Sequence, residues 1–298
     1  MQRPYLIHAL SPLHPGTGQA QGAIDLPIAR LAGTGIPFLP GSSVKGVLRD
    51  AFTGNKKDSE LPRELIDVFG PPVKLDNDQE RRSGAVAFGD ARLLALPVKS
   101  FYGTFAWVTS PLLLRLARRD LGWTELAIPL PRPPQGSGAA AVGAGAAVAA
   151  NGHVFLQDIE CPLDDDAGVS EQVGAWGNKL AALAFDADDQ ALFTERFVVV
   201  DDETMTFVWE SCTQVDARVR INERGVVQDG ALWYEESLPA ETLLIGVAAV
   251  IKRHPGGKPE EWLDYCLGAS RDTLQFGGKA TVGRGRARLL PVKSGGAE

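Results

Sequence analysis

The sequence predicts an α+β fold, a single domain on an RRM-like, ferredoxin-like core, and three observations predict it. Short apolar or β-branched runs alternate with segments of helical spacing along the chain. One long stretch reads as a projecting hairpin, and segments of the same character resume after the single abrupt change in composition.

The elements follow in order. Tyr5 to Leu10 is an apolar run closed by Ser11-Pro12 and reads as a strand. A loop rich in Gly, Pro and Gln runs from there to Gly35. Pro40-Gly41-Ser42-Ser43 starts a helix, with Val44, Val47, Leu48, Ala51 and Phe52 at the offsets of an apolar stripe; Gly54 and the charged run Asn55 to Glu60 close it. Val86 to Phe88, Arg92 to Leu96 and Phe105 to Val108 read as strands, and Ser110-Pro111 caps a helix reaching about Leu121. Between Pro129 and Gly152 the composition shifts to Pro131-Arg132-Pro133-Pro134 and a Gly/Ala tract, Gly136 to Ala150. Small side chains offer little area to bury, so a flexible surface insertion is expected over about residues 130–152. Val154 to Leu156 and Arg196 to Val200 read as strands, Ser170 to Phe185 as a helix, and Asp201-Asp202 as the start of another reaching about Glu210. Gln214 to Tyr234 flanks Asn222-Glu223-Arg224-Gly225 with β-type residues and is the hairpin. Leu243 to Ile251 (strand), Pro259 to Leu267 (helix) and Arg288 to Val292 (strand) finish the chain.

The bulk numbers narrow the function classes. The chain has 298 residues, 44% hydrophobic and 22% charged, an ordinary globular composition whose length leaves the domain count open. Tyr5 to Leu10, interrupted by His8, does not read as a signal peptide, and Leu243 to Ile251 is too short to span a bilayer. Cys161, Cys212 and Cys266 are far apart, with no spacing for zinc or a disulfide framework, which fits a reducing cytoplasm. A net charge of −7 repels a polyanion on average, so binding a nucleic acid requires local patches of Lys, Arg and free N–H groups. The acids do cluster, in Asp164-Asp165-Asp166, Asp186 to Asp189 and Asp201-Asp202-Glu203.

Three segments carry chemistry. A helix start attracts anions through its free N–H groups, and Lys45 in the first turn with Arg49 one turn on is unfavourable there unless an anion such as an RNA phosphate occupies the end. The bland alternative is that Ser42 or Ser43 caps the helix and Lys45 is solvated. Phe276-Gly277-Gly278-Lys279 through Gly283-Arg284-Gly285-Arg286 lets a backbone approach a ligand closely and brings cations, or is a structural turn between strands. Gly22-Ala23-Ile24-Asp25-Leu26-Pro27-Ile28 sets one acid among apolar residues. Asp25 is either a turn aspartate or a group that binds a divalent ion or steers a 2′-hydroxyl of RNA. No G-x-S-x-G, H-E-x-x-H, Walker or dinucleotide motif is present. Of the histidines His8, His14, His153 and His254, His14 alone neighbours a candidate site. Trp233-Tyr234 with Glu235-Glu236 ends the hairpin, as a base-stacking surface or a packed stem.

In this order the segments form a resemblance. Ser11-Pro12-Leu13-His14-Pro15-Gly16-Thr17-Gly18, Ile24-Asp25-Leu26-Pro27-Ile28 and Ile36-Pro37-Phe38-Leu39-Pro40-Gly41-Ser42-Ser43-Val44-Lys45-Gly46 resemble the N-terminal half of RAMP proteins, and the Phe276 to Gly285 segment resembles their C-terminal signature. Phe88-Gly89-Asp90-Ala91-Arg92-Leu93-Leu94 and Asp229-Gly230-Ala231-Leu232-Trp233-Tyr234-Glu235-Glu236 resemble the repeated backbone subunits of type III-B CRISPR effector complexes. The resemblance implies an RRM-like core with insertions, copies stacked along a guide RNA beside other effector subunits, and no membrane. It further implies a thumb hairpin, about residues 213–236, that displaces a base pair of the guide–target duplex, and a loop aspartate that cuts the target RNA with a divalent cation, Mg or Mn. Asp25 takes the place of that aspartate, for cutting and for metal. His14, Tyr234 and Glu235 are accessory site residues. Ser42, Ser43, Lys45 and Arg49 on the helix, and Gly277, Gly278, Lys279, Gly283, Arg284 and Arg286 in the late turn, match guide-binding surfaces. The alternatives are a non-catalytic guide-RNA scaffold and a stand-alone endonuclease that trims precursor guide RNA.

Overall fold

The computed structural model describes residues 1–18, 24–54, 56–57, 60–71, 83–132, 138–251, 258–268 and 273–292. Gly22, Ala23, His254, parts of the charged run 55–60 and the start of the Gly/Ala tract (133–137) lie outside these. The first half comprises β1 (Gln2–Ala9), β2 (Phe38–Leu39), α1 (Gly41–Thr53), α2 (Arg63–Phe69), β3 (Val86–Phe88), β4 (Ala91–Lys99), β5 (Phe105–Thr109) and α3 (Pro111–Leu121). Then come β6 (Ala140–Val142), β7 (Ala149–Ala150), β8 (His153–Leu156), β9 (Ile159–Pro162), α4 (Ala167–Ala184), α5 (Gln190–Thr194), β10 (Phe197–Val200) and α6 (Asp202–Ser211). The hairpin strands β11 (Gln214–Ile221) and β12 (Val227–Ser237) precede β13 (Leu243–Val250), α7 (Pro259–Leu267), β14 (Leu274–Gln275) and β15 (Arg286–Pro291).

Within this series β1, α1, β4, β13, α7 and β15 read as βαββαβ, and the strands lie in the order β15-β1-β13-β4 with antiparallel neighbours. That is the ferredoxin-like connectivity expected from the sequence. Beyond β4 the sheet continues through β5, β10 and β6, with β10 parallel to β5.

Side-chain alternation explains why both faces of the sheet are dry. Tyr5 and Ile7 of β1, with Leu244 and Ala248 of β13, join one apolar cluster that includes Val44 and Leu48 of α1 and Leu263 of α7. Leu6, Leu243 and Ile245 join a second, with Leu114 of α3, Trp176 of α4 and Phe193 of α5. An open sheet face is where a small RRM stacks bases; here helices take up both faces, so a bound nucleic acid is left α1, the loops and the hairpin.

The acidic clusters serve helix starts. Asp166 caps α4 through the Gly168 N–H (2.7 Å), Asp201 caps α6 through the Thr204 N–H (2.8 Å), and Asp202 accepts from the Leu112 N–H (2.8 Å). Carboxylates there satisfy orphan donors and the positive end of the helix dipole.

The Gly/Ala tract corrects the expectation of a flexible surface insertion. Ala140–Val142 is β6, paired to β10 in the main sheet, and Ala139, Ala140, Ala141 and Val148 are buried. Small residues are what this position needs: a Cβ on Gly143 would stand 3.3 Å from the Cα of Gly174 in α4. Low side-chain volume here means close helix–sheet approach. Among the described residues no helix is long and apolar enough to cross a membrane.

Candidate functional site

The segment after β1 doubles back on itself and docks on the hairpin stem. Leu13 and Leu238 exchange main-chain hydrogen bonds (2.8 Å each way), the Ala29 N–H reaches the Pro15 carbonyl (2.7 Å), and Gly16 bridges Ile28. Leu26 then runs parallel to β12, its N–H on the Tyr234 carbonyl (3.1 Å) and its carbonyl on the Glu236 N–H (3.0 Å). This register delivers Asp25, whose Oδ2 accepts the Tyr234 N–H at 2.8 Å. The carboxylate is exposed, and its Oδ1 has no partner among the described residues. One backbone N–H and open solvent resolve the cost of an acid among apolar neighbours.

His14 is buried beneath this loop. Its Nδ1 lies 2.6 Å from the Glu236 carbonyl oxygen, which only accepts, so Nδ1 carries the proton and Nε2 the lone pair of the neutral ring. The late glycine turn closes over it. Gly278 N–H donates to the His14 carbonyl (3.1 Å), and a Cβ on Gly277, at φ +70°, would fall 2.4 Å from that oxygen. Only glycine fits there.

Tyr234 and Glu235 point to opposite faces of β12. Tyr234 is exposed beside Ala217, Val219 and Leu232, while its backbone N–H tethers Asp25. Glu235 is buried and accepts from Lys279 Nζ (2.7 Å), Trp233 Nε1 (2.8 Å) and Arg218 Nε (3.4 Å). Burial pushes its carboxyl up, but the Lys279 and Trp233 hydrogen bonds and the charges of Lys279 and Arg218 outweigh it and bring the pKa to about 2. Glu235 is therefore an anion that fixes Lys279, not a proton donor at neutral pH. Trp233, holding that carboxylate, belongs to the stem.

Helix α1 begins differently from the serine cap weighed in the sequence. Pro40 occupies the N-cap without a side-chain bond, and Asp90, from the turn before β4, takes the Gly41 N–H (2.8 Å). Ser42 is exposed and Ser43 half-buried. Lys45 and Arg49 stand one turn apart with no ion-pair partner among the described residues. Burial, and then the charge of Arg49, hold the Lys45 ammonium below its ordinary pKa. An anion against this face relieves both effects.

The turn residues divide. Arg284 is buried, its guanidinium on Asp216 and the Ser237 hydroxyl, so it ties the turn to the hairpin stem. Lys279, at φ +70°, is committed to Glu235. Gly277, Gly278, Gly283 and Arg286 are exposed. Helix α1 packs against β14, which leads into this turn, and the turn packs on His14 and Glu235. Helix α1 is thus linked through β14 and the turn to the segment that carries His14 and Asp25.

Sequence reasoning missed Glu236, Arg30 and Thr213. The Glu236 carboxylate accepts from Ile28 N–H, both Arg30 terminal nitrogens and the Thr213 hydroxyl; burial pushes its carboxyl up, but these hydrogen bonds and the Arg30 charge together outweigh that push and hold it below the ordinary range. Among the described residues no group of three or more His, Cys, Asp or Glu is arranged to hold a metal ion.

The RAMP superfamily model matches residues 6–288. The CRISPR system Cmr endoribonuclease Cmr4 of Pyrococcus furiosus is 32% identical over 299 residues, covering 96% of this chain and 95% of its own. A crystal structure of oligomeric Cmr4 from the same organism superposes with a TM-score of 0.68 at 28% identity, covering 98% of this chain and 99% of that one. A second Cmr4 crystal structure gives 0.70 at 25% identity, covering 99% and 100%. On the family match and this full-length likeness, the chain belongs to the RAMP superfamily.

Proposed function

We propose that this chain is a backbone subunit of a type III-B CRISPR effector complex, stacking in copies along a guide RNA and cutting the target RNA paired to it. The observation that carries the reading is Asp25: a solvent-facing carboxylate, one oxygen of which has no partner among the described residues, held by backbone bonds at the stem of a projecting hairpin. The Pyrococcus relative is named an endoribonuclease and crystallises as an oligomer, which supports cutting and self-assembly. Lys45, Arg49, Arg286 and the glycine turn offer the phosphate-facing cations and N–H groups of the guide surface. The three free cysteines fit a reducing cytoplasm.

Cutting needs little from the protein. When the backbone of a displaced target nucleotide brings its 2′-oxygen in line with the adjacent phosphate, that oxygen bonds to phosphorus as the 5′-oxygen departs, leaving a 2′,3′-cyclic phosphate and a 5′-hydroxyl. Asp25 accepts a hydrogen bond from the 2′-hydroxyl and aims its oxygen at the phosphorus. The 2′-proton passes to water and water returns a proton to the departing 5′-oxygen, while His14, its Nδ1 on the Glu236 carbonyl, supports the loop from beneath. A divalent cation, Mg or Mn, would be held by Asp25 together with the RNA phosphate, since magnesium is commonly bound through one or two carboxylates and substrate phosphates. It would neutralise charge on the phosphate.

End-group analysis of the fragments tests the chemistry. Cyclic phosphate and 5′-hydroxyl ends at a constant spacing are expected, and one 2′-deoxy substitution at a cut site should silence that site alone. A 3′-hydroxyl with a 5′-phosphate would rule out attack by the 2′-oxygen. Cutting that survives every Asp25 substitution would favour the scaffold reading.

A further inference from the structure

Glu236 lies beside the proposed site and was assigned no role by its sequence. Its side chain is 2% exposed, yet it accepts hydrogen bonds from three residues on two segments. Oε2 takes the Ile28 N–H and Arg30 Nη1, each at 3.0 Å; Oε1 takes Arg30 Nη2 at 2.6 Å and the Thr213 hydroxyl at 2.8 Å. Arg30 Nη2 also reaches the Trp209 carbonyl at the end of α6 (3.3 Å). The main chain of Glu236 adds the bond to Leu26 and the seat of His14. One residue thus grips positions 26, 28 and 30, immediately after Asp25, and links them to the hairpin and to α6.

The neighbouring Glu235 is the control. It is equally buried, but its donors lie on the hairpin and the glycine turn, and none on residues 24–30. Ile28 anchors the loop in the core, but a cleft of about 280 Å³ lies between Ile24, Pro27, Arg30, Glu210 and Glu236, so one side of the loop borders open space. Where a loop borders open space, its polar tethers set its position, and a shift of about 1 Å in a reacting group costs on the order of 100-fold in rate.

We propose that Glu236, paired with Arg30, is a positioning residue for target cleavage, fixing the register of the Asp25 loop against the hairpin stem. The proposal rests on the reading of Asp25 as the cutting residue and names what holds it in place.

Glu236→Gln keeps the shape and removes the charge that organises Arg30. In the assembled complex its single-turnover cleavage rate should fall about 10–100-fold, with guide affinity within about twofold of wild type. Amide hydrogen exchange at Ile28 should quicken in the free chain. Arg30→Ala should match it, and the double variant should be no slower than the slower single, as expected of two groups acting through one bond. Should Glu236→Gln assemble poorly, Thr213→Val and Arg30→Lys remove one tether each, and a several-fold loss of rate at unchanged guide affinity is expected. Wild-type rates in all of these, or losses that only track guide affinity, would overturn the positioning role while an inactive Asp25→Asn leaves the reading of Asp25 standing. Full cutting by Asp25→Asn would remove both.

Discussion

The hairpin stem and the first turns of α1 treat charge in opposite ways. At the stem the buried charges are matched: Glu235 with Lys279 and Arg218, Glu236 with Arg30, Arg284 with Asp216. On α1, Lys45 and Arg49 face each other's field without a counter-ion among the described residues. Matched buried charge makes a rigid frame and exposes little for a ligand; unmatched cations gain by meeting one. The difference teaches that the cations most suggestive in the sequence are not equivalent. Lys279 and Arg284 are held in the frame, whereas Lys45, Arg49 and Arg286 have no ion-pair partner among the described residues and are the cations we propose to meet RNA.

That contrast can be broken most severely at Arg284. Arg284→Ala leaves Asp216 and Ser237 without their partner and should cost about 3 kcal/mol in denaturant unfolding, whereas Arg286→Ala, on an exposed side chain, should cost less than about 0.5 kcal/mol. Equal costs would erase the distinction between frame and binding surface. Next, Lys45→Ala should weaken guide RNA binding by roughly tenfold or less and lower the salt slope of log affinity by about 0.7, with folding stability unchanged or slightly raised. An unchanged salt slope would take Lys45 off the RNA path. The pH effect of Glu235 tests the frame side of the contrast. Its carboxyl lies at about 2 in the fold against an ordinary 4.5, so its contribution is complete above about pH 4.5 and is lost as pH falls towards 2. The urea midpoint of Glu235→Gln should therefore converge on that of wild type as pH falls from 5 to 2.5; a constant gap would mean that Glu235 is not held as an anion.

Much of the fold was legible because its signals are local. The stripe Val44, Val47, Leu48 placed α1, Ser110-Pro111 placed α3, and the β-type runs around Asn222 to Gly225 placed the hairpin. The short strands β2 and β14 were not legible, since two-residue pairings owe their existence to the sheet they join. The Gly/Ala tract misled because the burial of small side chains depends on a helix, α4, that approaches from elsewhere in the chain. Asp25 stood out as a lone acid in an apolar loop. Glu236 did not, because its partners Ile28 and Arg30 are 208 and 206 residues away, and the serine cap of α1 failed for the same reason when Asp90 took the Gly41 N–H.

All of this turns on one carboxylate. The direct measurement is Asp25→Asn, reconstituted into the full complex with guide RNA and presented with a complementary target. Guide affinity should stay within about twofold of wild type while the cleavage rate drops by about a thousandfold or more, since the amide keeps the shape of the side chain and loses its charge. Target fragments formed at the wild-type rate and spacing would contradict the account.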